Sequence, residues 1–240
     1  MTVASPKGRW GNQIIISLAV SLIAEKHNLM VHYTPGGKRA EMVLGIQLYQ
    51  GSKKHNNVRI LRNDNFMDIL NQSTIDYSLV SDDFFQTKEI CNLMYEYLRN
   101  NQKESIISKN PFHTRYENNN DLFIHLRLGD MAKRNPGIDY YLECIERIEY
   151  DNIYFATDSF QSPMIHRLKE KYPTIQYIKD ESVVIQFGST CKHVVLSHGS
   201  FSAIIGYLSF FSDVYYPNYS RAKIGVWFGD MFSIPGWIEV

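Results

Sequence analysis

The stretch that decides the fold is DLFIHLRLGD, residues 121–130. Leu122, Ile124, Leu126 and Leu128 alternate onto one face, and Phe123, His125 and Arg127 onto the other. That period of two is the pattern of a β-strand. An ordinary half-buried strand carries varied polar residues on its second face. This one sends an imidazole and a guanidinium the same way, reaches Gly129 where a strand usually stops, and closes on the carboxylate of Asp130.

Downstream of this strand the pattern alternates. A helix is predicted over 140–148 and a strand over 153–156. Ser162-Pro163 is a cap and first-turn pair opening a helix that runs to 172. Strands follow at 175–178, 193–197 and 214–216, with a short helix at 183–187 and another from about Ser200. Upstream, a strand at 3–5 leads through PKGRWGNQ into an apolar helix over 12–27. A strand at 29–34 is broken by the PGG of 35–37. A helical stretch at 41–49 and a strand at 58–61 come next. Residues 64–84 give no clear pattern, and a helical one returns over 87–108. The polar ENNN of 117–120 marks a boundary between lobes 1–117 and 118–240. The βαβα rhythm implies an α/β protein with parallel sheets and helices on both faces.

Composition narrows the function. Lys plus Arg number 25 and Asp plus Glu 25, so no net field favours nucleic acid or an anionic membrane surface. The 16 tyrosines suit a carbohydrate-facing protein. Cys91, Cys144 and Cys191 are odd in number and lack C-x-x-C spacing, which reads as free thiols in a reducing compartment. The N-terminus lacks the basic and apolar regions of a secretory signal. The longest apolar run, 14–24, is interrupted by serines and too short to span a bilayer. A cytoplasmic protein with no membrane span is expected.

In open α/β sheets ligands bind beyond the carboxyl ends of strands, and three polar strings fall there. His125, Arg127 and Asp130 end one strand, Thr157 and Asp158 of FATDS the next, and SHGSFS, residues 197–202, another. Gly199 permits a turn, and outward hydroxyls of Ser200 and Ser202 at a helix start would make a phosphate site. Arg127 would supply a fixed cation for a diphosphate. Plainer readings stand beside these: SFS as a helix cap, ATD as turn chemistry, Arg127 paired with Asp130, His125 as a satisfied core histidine. In the first lobe, GRWGNQ at 8–13 brings Gly8 and Gly11 around Arg9-Trp10, with Asn12 as a helix cap and Gln13 reaching outward. Neither the spacing of a dinucleotide fingerprint nor a P-loop lysine is present.

Together GRWGNQ, HLRLGD, FATDS and SHGSFS, with the closing PGWIEV, resemble the motif set of the fucosyltransferase superfamily. That superfamily includes the α-1,2-fucosyltransferases of glycosyltransferase family 11 and the protein O-fucosyltransferases. The resemblance implies a GT-B-like architecture of two Rossmann-type lobes, the first facing the acceptor and the second binding the nucleotide sugar. It implies inverting, metal-independent transfer of a 6-deoxyhexose to a glycan hydroxyl, L-fucose from GDP-fucose being favoured, with no cofactor. Arg127 then matches the arginine that stabilises the leaving diphosphate. His125 and Asp130 match neighbours shaping the nucleotide site, and Asp158, beside Thr157, matches a base- or ribose-contacting position. Ser200, Phe201 and Ser202 match the phosphate-contacting turn. Asn12, with Gly8, Arg9 and Gly11, matches a first-lobe loop that closes over the sugar. The absence of any D-x-D triplet agrees with metal independence.

Many family 11 members carry two adjacent arginines in the central motif, whereas Leu128 follows Arg127 here. An L-rhamnosyltransferase using UDP-L-rhamnose is therefore an alternative, as is a non-catalytic nucleotide- or glycan-binding module on a degenerate transferase scaffold. No base declares itself among His32, Asp64, Asp82 and Asp83. The chain could also be one domain of a larger enzyme.

Overall fold

The structure is a computed structural model that describes residues 1–130, 132–218 and 229–240. The chain forms two compact units, Met1–Lys109 with Phe228–Ile234, and Asn110–Trp227 with Pro235–Val240. Each carries its own parallel sheet. The division falls upstream of the polar stretch 117–120. That stretch is tied into the second unit, because Asn119 donates to the carbonyls of Arg115 and Thr190 and Asn120 to that of Glu149.

The first unit runs β1 (Thr2–Val3), α1 (Trp10–His27), β2 (Val31–His32), α2 (Pro35–Leu44), β3 (Val58–Leu61), α3 (Phe66–Asn71), β4 (Ser78–Ser81), α4 (Lys88–Tyr97) and α5 (Lys103–Lys109). The strand order is β2-β1-β4-β3. Helix α1 is buried on nearly every side and ends at Asn28 in the left-handed conformation, consistent with its uniformly apolar composition. The predicted helix at 41–49 is displaced. Thr34 caps the backbone N–H of Gly37 and Pro35 occupies the first turn, so PGG starts α2 rather than separating elements. The stretch without pattern, 64–84, contains α3 and the interior strand β4, whose SLVS sequence is too short and polar to announce itself. The helical run over 87–108 is interrupted by a π-turn at Leu98–Gln102.

The second unit runs β5 (Leu122–Leu126), α6 (Ile138–Arg147), β6 (Ile153–Thr157), α7 (Pro163–Lys171), β7 (Gln176–Tyr177), α8 (Glu181–Gly188), β8 (His193–Val195), α9 (Ser200–Tyr207), β9 (Asp213–Tyr216) and β10 (Ile238–Glu239). The strand order is β10-β9-β8-β5-β6-β7. The final strand lies in what the sequence presents as a tail. Strand β5 is interior and buried along its whole length. As its alternation predicts, Leu122, Ile124, Leu126 and Leu128 join one core with Tyr141, Cys144 and Ile145 of α6 and Ile165 and Leu168 of α7. Rings on the opposite face meet α8 and α9: Tyr154 lies 4.7 Å from Phe187, and His125 lies 5.3 Å from Phe201. The sheet grows outward from β5 in one direction through β6 and β7, and in the other through β8, β9 and β10. The topological switch point therefore lies between β5 and β8, where α/β sheets place their ligands.

Candidate functional site

The strand β5 ends at Leu126 rather than running to Leu128, and Asp158 is the reason. Its Oδ1 accepts the backbone N–H groups of Leu128 at 2.7 Å and Gly129 at 2.8 Å, bending the chain out of the ladder. Its Oδ2 pairs with Nη1 of Arg127 at 2.7 Å. The Asp158 carboxylate thus organises the loop after β5, a role the sequence does not announce. Gly129 is required at this junction, since a Cβ there would lie 2.6 Å from Oδ2 of Asp158. We expect Gly129→Ala to lower stability by about 1–3 kcal/mol, the range for overpacking a fixed neighbour. Denaturant titration with an unchanged m-value checks it.

Arg127 has a second partner. Its Nη2 donates to Oδ1 of Asp130 at 2.7 Å, with the arginine side chain 17% exposed and that of Asp130 51%. The plain reading of an Arg127–Asp130 ion pair is realised, and a pair to Asp158 is added that the sequence does not announce. The two are unequal. Asp158 is bound by three donors at once, whereas a solvent-exposed pair such as that with Asp130 contributes about 0–1 kcal/mol. An anionic oxygen could replace Asp130 at Nη2 at little cost while Asp158 keeps the guanidinium aimed.

His125 is buried, and its Nδ1 lies 2.5 Å from Oγ of Ser202. This bond joins the end of β5 to the first turn of α9 across the switch point. Burial pushes the His125 pKa down to about 4, with the Arg127 charge acting in the same direction and Asp158 against it, so the imidazole is neutral at pH 7. Ser202 is fully buried in this contact, contrary to the expectation that its hydroxyl faces outward. Ser200 and Phe201 are half-buried. Helix α9 begins after Gly199 with no side chain capping it, so SFS is not an ordinary cap. The Thr157 hydroxyl accepts the N–H of Ser159 at 3.1 Å, the turn chemistry of the plainer reading.

Sequence reasoning misses three residues that fix Arg127 from behind. Asn135 donates from Nδ2 to the Arg127 carbonyl at 3.0 Å and to the Tyr141 hydroxyl at 2.8 Å, and that hydroxyl donates to Oγ of Ser197 at 3.0 Å. Burial raises the Tyr141 pKa, so the phenol stays protonated. The signal available was NPG at 135–137, a turn whose Asn135 Oδ1 accepts the Gly137 N–H.

The GRWGNQ string of the first unit joins helix starts. Gln13 accepts the Gly36 N–H at 3.0 Å and donates to the Gly8 carbonyl at 3.1 Å, and Trp10 Nε1 donates to the Gly36 carbonyl at 3.0 Å. Gln13 therefore binds α1 to α2 instead of reaching outward. Asn12 is not the cap. The helix begins at Trp10 after Arg9, and Oδ1 of Asn12 accepts from Gln86 at 2.8 Å. Gly8 has φ +70°, and a Cβ there would meet Asn12 Nδ2 at 2.1 Å, so glycine is required on both counts. Arg9 is exposed and Gly11 buried. Among the possible bases, Asp82 pairs with Lys7 and Arg62, whose hydrogen bonds hold its carboxyl below the usual range and weaken it as a proton acceptor. Asp83 accepts the backbone N–H groups of Asn63 and Phe84, a loop-forming role.

Among the described residues no cluster of three or more His, Cys, Asp or Glu could hold a metal ion, and no helix is long and apolar enough to cross a membrane. The chain matches no protein-family model and no curated protein.

Proposed function

We propose that the second unit binds the diphosphate of a nucleotide sugar, and that the protein transfers a 6-deoxyhexose, L-fucose foremost, from it to a glycan hydroxyl. One observation carries this reading. At the carboxyl end of β5, a guanidinium is anchored by Asp158, which follows β6, and the same strand is tied on its other side by the His125–Ser202 bond to the start of α9. Both groups favour negative charge, one through its fixed donors and the other through the helix dipole. In the transfer, the acceptor oxygen bonds to the anomeric carbon as the sugar–phosphate bond breaks. The acceptor proton passes to a base or to the departing phosphate, and Arg127 meets the charge that develops there. The part of Asn12 in holding the sugar rests on the family resemblance alone.

The non-catalytic reading has an observation of its own. Arg127 already faces two carboxylates, and the best-defined acid in the first unit, Asp82, is a weak base. A binding module would show nucleotide-sugar binding without turnover over a broad acceptor panel.

Thermal stabilisation by GDP and by UDP tests the donor site. A ligand at one hundred times its dissociation constant adds about 2.7 kcal/mol. A GDP-specific shift is expected for the fucosyl reading, and a UDP-specific shift would transfer it to a rhamnosyl donor. Silence with both ligands would leave Arg127 as a structural ion pair and end the proposal.

A further inference from the structure

The peptide unit that joins Arg127 to Leu128 is held at both of its polar groups by side chains. Its carbonyl accepts from Nδ2 of Asn135 at 3.0 Å, and its N–H donates to Oδ1 of Asp158 at 2.7 Å. Leu126 and Leu128, on either side of Arg127, are both buried in the core. The strand ladder ends at Leu126, so two side chains from separate elements fix the backbone of Arg127 beyond it. Which rotamers a side chain can adopt depends on its backbone angles. The clamp on this one peptide unit therefore limits where the guanidinium points, and the pair with Asp158 completes its aim.

Asn135 reaches this position through a local device. Its Oδ1 accepts the Gly137 N–H at 3.0 Å, closing a turn over Pro136, and α6 opens at Ile138. One helical turn later Tyr141 returns to the same amide, its hydroxyl accepting from Nδ2 at 2.8 Å. Both Nδ2 protons and Oδ1 are then engaged, so only one orientation of the amide satisfies all three bonds. The Tyr141 hydroxyl donates onward to Oγ of Ser197, beyond β8, at 3.0 Å, and the adjacent Tyr140 hydroxyl donates to the Leu196 carbonyl at 2.9 Å. Tyr141 and Ser197 are completely buried, closed to any ligand. Two consecutive tyrosines of α6 thus grip the end of β8 while Asn135 grips the end of β5, across the switch point. We propose that Asn135 and Tyr141 are positioning residues of the transfer, holding Arg127 where charge develops on the departing diphosphate. This assignment rests on the diphosphate reading above and deepens it: a buried phenol with no access to substrate helps set the rate. Arg127 acts on charge that appears in the transition state, so a misdirected guanidinium lowers kcat and leaves the KM for donor nearly unchanged.

The experiment is a double-mutant cycle on the full chain, with Tyr141→Phe and Asn135→Ala each made in the wild type and in Arg127→Ala. Release of GDP from GDP-fucose is followed, water or an added glycan serving as acceptor, with UDP-L-rhamnose run in parallel. Near-ultraviolet circular dichroism verifies each fold. Both single variants are expected to lose about 10-fold or more in kcat, within the cost of misplacing a reacting group from a distance, with the donor KM nearly constant. In the Arg127→Ala background the same changes should alter turnover by less than about twofold, as for groups that act only through the residue removed. Unchanged kcat in folded Tyr141→Phe and Asn135→Ala would overturn the positioning role and leave Arg127 and the diphosphate reading standing. An equal loss with and without Arg127, or failure of both single variants to fold, would also overturn it by making the network purely structural. A wild type that releases nucleoside diphosphate from neither donor would remove the functional reading itself, and the positioning role with it.

Discussion

Arg127→Ala is expected to reduce transfer by about 10²–10³-fold, the cost of removing one preorganised group that meets developing charge. The fold is expected to survive. Asp130 is half exposed, and Asp158 keeps the N–H groups of Leu128 and Gly129. The melting temperature should therefore move by only a few degrees, as for a change of about 1 kcal/mol in a domain of this size. Arg127→Lys should recover little. An ammonium on a flexible stem cannot pair with Asp158 and present a second, fixed donor to phosphate at the same time. Release of nucleoside diphosphate from the sugar donor, measured beside thermal unfolding, separates the two effects. Full turnover in a folded alanine variant would sink the assignment of Arg127. An equal fall in stability and turnover would make it a structural residue.

The sequence made the second unit readable because burial there is one-sided in an orderly way. The alternation from Leu122 to Leu128 names the face that packs on α6 and α7, and it places His125 and Arg127 opposite. Ser162-Pro163 marks the start of α7, and Ser162 does accept the Met164 N–H. The first unit was harder. Thr34 and Pro35 signal a helix start, but the glycines after them read as punctuation. The first of these, Gly36, is small because Gln13 and Trp10 bond to its backbone. Strand β4 has only four residues and two serines, so no periodic signal exists to find. Within the candidate site, residue types were legible and their partners were not. HLRLGD and FATDS announce a cation and a carboxylate at neighbouring strand ends. Only the register of β5 against β6, which sets Leu126 beside Thr157, brings Asp158 under Leu128 and Gly129. The same holds for Ser202: a helix-start serine looks solvent-directed until the packing of α9 against β5 turns it onto His125.

That inward turn has a consequence for acid stability. The unfolded chain carries His125 with a pKa near 6.5, and the folded protein with one near 4. Above pH 6.5 neither state holds the proton and the group contributes no pH dependence. Between pH 6.5 and about 4 the unfolded state binds a proton that the folded state refuses, so stability falls as pH falls and levels off below about 4. The full difference for this one buried imidazole is roughly 3 kcal/mol, a substantial part of a typical domain's stability. His198, which burial also pushes down to about 4, steepens the same window, and His193, lowered mainly by burial, acts in the same direction. The Asp82 carboxyl titrates below its usual range and so contributes only at still lower pH. Urea unfolding at several pH values from 7.5 to 4.5 should therefore show a decline centred well above the carboxylate range. His125→Gln keeps a donor and acceptor for Ser202 without the titrating ring, and should remove the His125 contribution to the slope, leaving that of His198 and His193. An unchanged slope in the folded glutamine variant would mean that the bond to Ser202 opens and the ring is protonated in the native state. The link between β5 and α9 would then be one that acid breaks without unfolding the sheet, and the start of α9 would lose its anchor before the protein loses its fold.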